Sequence, residues 1–130
     1  MQDKKVETIT DGKGSAAALK EFFVGVFEKF KEHAAIRCLI LGRLTGFASL
    51  GITLRNLPPN NEHSRRLKQS ITKDARYIKE TIKKQNLSDC DSKFLDDLEA
   101  NTILLLELSP VELGKINKFL EESYGRIKIS

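Results

Sequence analysis

Two histidines, two cysteines and one run of aspartates are the side chains of this sequence that could do chemistry. His33 and His63 are far apart in the chain. A histidine base or ligand needs an acid, a nucleophile or a metal within bonding reach. Both fall at the ends of separate helical segments, which is the pattern of surface residues. Cys38 and Cys90 lie in segments that read as helical, and neither belongs to a closely spaced Cys/His set. No zinc-type site is therefore expected.

Asp89-Cys90-Asp91, followed by Asp96 and Asp97, has the carboxylate density of a calcium loop. It lacks the central glycine and terminal glutamate that such loops require. The run fits a helix start better, because carboxylates are favoured at the positive end of the helix dipole. Gly12-Lys13-Gly14-Ser15 has the composition of a phosphate-binding turn without the spacing of a P-loop or a preceding strand. No Ser/His/Asp or Cys/His set can be assembled, and the carboxylates cluster on one segment with nothing to set their pKa values apart. The expectation is a protein that is not an enzyme and that uses no cofactor and no metal.

The elements that would position these residues all read as helices, since no segment alternates with the period of a strand. Ser15 sits where an N-cap belongs, and a first helix over about 16–33 gathers Leu19, Phe23, Val26, Phe27 and Phe30 on one stripe. Pro58-Pro59-Asn60-Asn61 breaks the chain. A basic helix over about 61–86 follows, with Leu67, Ile71, Ala75, Ile78 and Ile82 forming a narrow seam close to that of a coiled coil. It is long for a small domain, so one end could project or pair with another chain.

Asn86-Leu87-Ser88 closes that helix. Ser88 with Asp91 reads as a start signal for an acidic helix over about 89–108, with Phe94, Leu95, Leu98, Thr102 and Leu105 inward. Its end, Ile103-Leu104-Leu105-Leu106, is apolar on every side and should be deeply buried. Ser109-Pro110-Val111-Glu112 is a strong helix start, with serine as cap, proline at the first position and glutamate placed to reach back to the cap amide. The last helix, about 110–123, buries Leu113, Ile116 and Leu120, and Gly125 is its expected terminator. The fold class expected is all-α, a single-domain antiparallel bundle of four to five helices. Residues 1–14 form a flexible lead-in, 15–125 the bundle and 126–130 a frayed end.

Composition agrees with such a domain. At 130 residues, 40% hydrophobic and 31% charged, the chain can bury one core. Two cysteines are no disulfide framework, which favours a reducing, cytoplasmic setting. No secretory leader is visible in the polar first residues. The apolar stretch from Cys38 to Leu57 is interrupted by Arg43 and Arg55, so a core helix is expected there and not a membrane span.

Charge is unevenly distributed. Residues 60–86 carry eight cations, Arg65, Arg66, Lys68, Lys73, Arg76, Lys79, Lys83 and Lys84, against three acids. Residues 87–108 carry six acids against Lys93 alone. An antiparallel hairpin of the two helices would let the acidic face neutralise the basic one. If the basic face stays free, those eight residues become candidates for nucleic-acid contact.

The segment Ile36–Leu57 admits two readings. As one helix it places Ile36, Leu39, Ile40, Phe47, Leu50, Leu54 and Leu57 on one arc, with Arg43 in the middle. Arg43 then needs an anionic partner, with Asp97 or Glu99 in view, or it lies at the edge of the arc and extends to water. Gly42 and Gly46 form a Gly-x-x-x-Gly pair that lets another backbone come close. Broken near Gly46, the same segment gives an imperfect helix-turn-helix over 41–57, with few side chains left to read bases.

The function expected is that of a non-enzymatic helical interaction protein acting through helix packing as an oligomer. Its packing and interaction candidates are Gly42, Arg43, Gly46, Leu67, Ile71, Ile78 and Ile82, and its partner is a second copy or another helical protein. The alternative is a small basic nucleic-acid-binding or regulatory protein.

Overall fold

The computed structural model describes residues 16–129 except Pro59 and Asp89, with side chains described as far as Ser123. The expected lead-in, Ser15 and the phosphate-turn composition at 12–15 lie outside the described residues. The rest is all-α: α1 (Ala16–Lys29), α2 (Ala34–Arg55), α3 (Asn61–Gln85), α4 (Ser92–Ile103), a short 3-10 turn (Leu104–Glu107) and α5 (Pro110–Ile129).

Local chemistry explains most of the boundaries. Asn60 caps α3 by accepting a hydrogen bond from the His63 amide at 3.0 Å. Asn86 ends α3 in the left-handed region, at φ 58°, a conformation asparagine tolerates better than most residues. Asp91, not Ser88, caps α4, accepting from the Phe94 amide at 2.9 Å. The acidic helix is accordingly shorter than the sequence suggests, and its apolar end tightens into the 3-10 turn. In that turn Leu105 is buried, whereas Ile103, Leu104 and Leu106 are only half-buried. At α5, Ser109 Oγ accepts from the Glu112 amide at 3.2 Å, as the motif implies. The helix then runs through Gly125 to Ile129, past the terminator and into the end expected to fray.

Helix α2 is continuous through Gly46. This corrects the helix-turn-helix reading of 41–57: no turn separates the two halves. The Thr45 hydroxyl donates back to the Leu41 carbonyl and stays within the helical ladder.

The helices alternate in direction. Arg43 meets Asp74, while Gly51, further on in α2, approaches Leu67, earlier in α3, so α2 and α3 are antiparallel. Gly51 also faces Leu113 of α5, and Arg55 donates to the Leu106 and Leu108 carbonyls just before α5 begins. Helices α1 and α5 run the same way: Glu112 reaches the Ala16 amide at their starts, and Phe27 stacks on Phe119 further along, at 6.2 Å between centroids. Five helices that alternate up and down place the first and fifth in parallel, and here those two are neighbours.

One core joins all five helices. It includes Leu19 and Phe23 of α1, Phe30 just beyond it, Ile40, Leu44 and Phe47 of α2, Leu67, Ile71, Ile78 and Ile82 of α3, Leu98 of α4 and Leu113 and Leu120 of α5. Burial of each large side chain stabilises by roughly 1.5–3 kcal/mol relative to exposure. Thr102 is the one buried polar residue among those described, and its hydroxyl donates to the Leu98 carbonyl at 2.7 Å.

Candidate functional site

The α3 seam packs inside the chain itself. Leu67, Ile71, Ala75, Ile78 and Ile82 are all buried in the chain's own core. The opposite side of α3 carries the basic residues. Of the eight cations there, Lys79 alone crosses to the acidic helix, bonding Asp96 at 2.9 Å and Glu99 at 3.0 Å. Those two carboxylates, Asp96 first, raise the Lys79 pKa above its ordinary value. Arg65 pairs with Glu62 within α3, and on α4 Lys93 pairs with Asp97 at 3.2 Å. Among the described residues, Arg66, Lys68, Lys73, Arg76, Lys83 and Lys84 make no ion pair, and all six are exposed. The expected self-neutralised hairpin is thus realised at one lysine. A side chain on α3 meets α4 only where the two helices touch, and most of the basic residues lie on the far side of α3 from the core.

Arg43 is neither buried nor joined to the acidic helix. It lies at the rim of the buried arc with 40% of its side chain exposed, bonding Asp74 of α3 at 3.2 Å. Its guanidinium also stacks over the Tyr77 ring at 4.3 Å. The partner proposed from sequence, Asp97 or Glu99, is corrected to Asp74, and the edge position is the one observed.

The buried arc of α2 is turned relative to the one read from sequence. Leu41, Leu44, Ala48 and Gly51 lie inside, while Leu39 and Leu50 are half-buried and Leu57 is exposed. Gly51 is the tightest point: a Cβ there would meet Leu113 Cδ1 at 2.8 Å. The opposite face is unusual for a helix at a protein surface. Ala35, Cys38, Gly42, Gly46, Ser49 and Thr53 are all exposed, and all are small and uncharged. They fall within about 80° of arc at 100° per residue and extend over roughly 27 Å of helix. A Cβ added at Gly42 or at Gly46 would have no atom within 4 Å. The Gly-x-x-x-Gly notch therefore serves no contact inside the bundle and faces outward. By length and composition α2 would also pass as a membrane span, yet much of its apolarity is committed to the core.

The chain matches no family model, no curated protein and no solved structure.

The residues with reactive chemistry stay apart. Among the described residues no three His, Cys, Asp or Glu side chains gather as metal ligands do. Cys38 is exposed on α2, and Cys90 precedes α4; neither forms a disulfide. His33 sits at the start of α2 with its ring edge-on to Phe30. His63 lines a depression of about 400 Å³ at the α2–α3 turn, together with Arg55, Asn60, Ser64 and leucines. Nothing acidic lines that depression; His63 Nε2 meets Asn60 Nδ2 at 3.4 Å, and its buried Nδ1 has no hydrogen-bond partner. The Glu112 carboxylate accepts from the Ala16 amide at 2.9 Å and from Lys115 at 3.2 Å. Those contacts, the amide first, hold its pKa below the ordinary value. The sequence motif suggested that Glu112 closes on its own helix cap. It instead satisfies an orphan amide at the start of α1, so its role is to join two helices.

The outer face of α2 was only partly legible beforehand. Gly42 and Gly46 marked it, but Ala35, Cys38, Ser49 and Thr53 carry no signal until the buried side of the helix is known.

Proposed function

We propose that this chain is a non-enzymatic helical interaction protein that pairs with a second copy of itself through the outer face of α2. One observation carries the reading: five turns of an exposed helix present only small, uncharged side chains. A surface helix with no partner ordinarily places charged and long polar residues outward. Two glycines in such a helix each lose about 1 kcal/mol relative to alanine. Here no turn, no positive φ and no neighbouring atom accounts for them. A facing helix would, because small residues let two backbones approach closely.

A second copy fits because a two-fold interface must be self-complementary. A face without charge meets its own image without repulsion. Half-buried Leu39, Leu50 and Ile52 border the stripe and supply apolar area for the rim of the contact.

Sedimentation equilibrium of the wild-type chain and of Gly46→Leu tests the reading. The expected result is a concentration-dependent dimer for the wild type, with dissociation at least tenfold easier in the variant. Helical signal and melting cooperativity of the variant should be preserved, since nothing inside the bundle lies near that position. A wild-type chain that stays monomeric up to its solubility limit would dispose of the proposal.

A further inference from the structure

A second surface, on the other long helix, carries an inference that does not depend on the face of α2. We propose that the outer half of α3 binds duplex DNA by lying in the major groove. All five apolar residues of the seam face the core, so about half of the helix circumference is left outward over its whole length. At 100° per residue, Arg65 and Lys83 lie along one edge of that outward arc and Arg66 and Lys84 along the other, while Lys68 is turned about 60° further round, towards the side that carries Lys79. Gln69, Lys73, Arg76 and Glu80 run down the middle.

Cations on two edges with hydrogen-bonding groups between them match the order of chemistry met by a helix in a groove. The edges meet the two phosphate strands, and the mid-line meets base edges. Dimensions agree: a helix with its side chains is about 10–12 Å across, and the B-form major groove is about 12 Å wide. Residues 65–84 cover about 28 Å of axis, less than one turn of duplex.

Intramolecular pairing selects the same surface. The acidic helix is the competitor for these cations, and its Asp96, Glu99 and Asp97 are already held by Lys79 and Lys93. Lys79 is therefore removed from the contact set expected from the sequence. Six cations without partners among the described residues remain, with Arg65 at the edge bonded to Glu62. An anionic membrane is the poorer match, because the aliphatic residues of α3 are all inside and its exposed large apolar side chain, Tyr77, lies under the Arg43 guanidinium. Duplex RNA is poorer too, since its major groove is too deep and narrow for a helix.

Fluorescence anisotropy with a labelled duplex of about 20 base pairs, two helical turns, provides the test. Single-stranded DNA, duplex RNA and phosphatidylserine vesicles are the parallel arms. Five or six phosphate contacts predict that the logarithm of the binding constant falls against the logarithm of salt with a slope of about −5. Lys73→Glu combined with Arg76→Glu should weaken binding at least a hundredfold at low salt without altering the melting curve. Lys118→Glu, on α5, should leave it within twofold. Failure to bind the duplex at low salt would overturn the inference. So would equal loss with the control variant, or binding to single strands, duplex RNA or vesicles as tight as to duplex DNA.

Discussion

The two long helices α2 and α3 bury one side each, and their outer sides could hardly differ more. Outside α3 stand long charged side chains, which favour helix and keep their heads in water. Outside α2 stand alanine, cysteine, glycine, serine and threonine, of which all but alanine weaken a helix and none solvates it strongly. A side of a helix that only has to meet water would be expected to look like α3. The outer face of α2 carries side chains that permit close approach and that of α3 carries charge that acts at long range, so the two proposals assign them partners of different chemistry.

The largest effect is expected where the two helices agree, on their inner sides. Ile78→Ala removes a side chain with no exposure from the α3 seam. Urea unfolding should show a loss of about 2–5 kcal/mol, and that loss should not depend on protein concentration. A concentration-dependent loss would mean that the seam also serves an interface, and the contrast between inner and outer sides would fail.

A pair of alanine substitutions sharpens the contrast between the two sides of α2. At Gly51 the new methyl would press on Leu113 Cδ1, and overpacking of about 1–3 kcal/mol should exceed the gain in helix propensity of about 1 kcal/mol. At Gly42 there is nothing to press on, so Gly42→Ala should stabilise the monomer by about 0.5–1 kcal/mol. Thermal unfolding at low protein concentration should move the two melting temperatures in opposite directions. Movement in the same direction would show that the sides of α2 are not as distinct as their packing implies.

The smallest effect separates both helices from the general electrostatics of the bundle. Glu112 has a folded pKa below its unfolded value of about 4.3, because the charged form accepts from the Ala16 amide and from Lys115. Its contribution to stability is complete above about pH 4.3 and is lost as pH falls through the lower folded value. Glu112→Gln should flatten the fall in stability on acidification over that window. Substitution of the outward cations of α3 should leave the acid limb unchanged, since Glu112 bonds Ala16 and Lys115 instead. An acid limb identical in the variant would remove Glu112 from the joint between α1 and α5.

The helical class was readable because the apolar residues of α1, α3 and α5 recur with an unambiguous helical period. The Ser109 cap was readable because its chemistry is local. The orientation of α2 was not. Its apolar residues lie nearly all round, and the buried arc is completed by Ala48 and Gly51, which add little to any hydrophobic pattern yet allow α5 to come close. Arg43 shows the same limit. Its anionic partner could be foreseen as a requirement, but the choice of Asp74 over Asp97 or Glu99 is fixed by the register of α2 on α3, which no local residue encodes. The free basic face was half-legible: the charges were plain, but their pairing depended on which side of α3 the acidic helix would touch.

Intermolecular contact at α2 is measured most directly by an isotope-filtered NMR experiment on equal parts of labelled and unlabelled chains. A dimer formed through the outer faces of α2 should give intermolecular NOEs from the amide and α protons of Gly42 and Gly46 to side chains of α2 in the second copy, Ser49 and Thr53 among them. Intermolecular NOEs that arise from another helix, or a spectrum empty of them at high concentration, would contradict it.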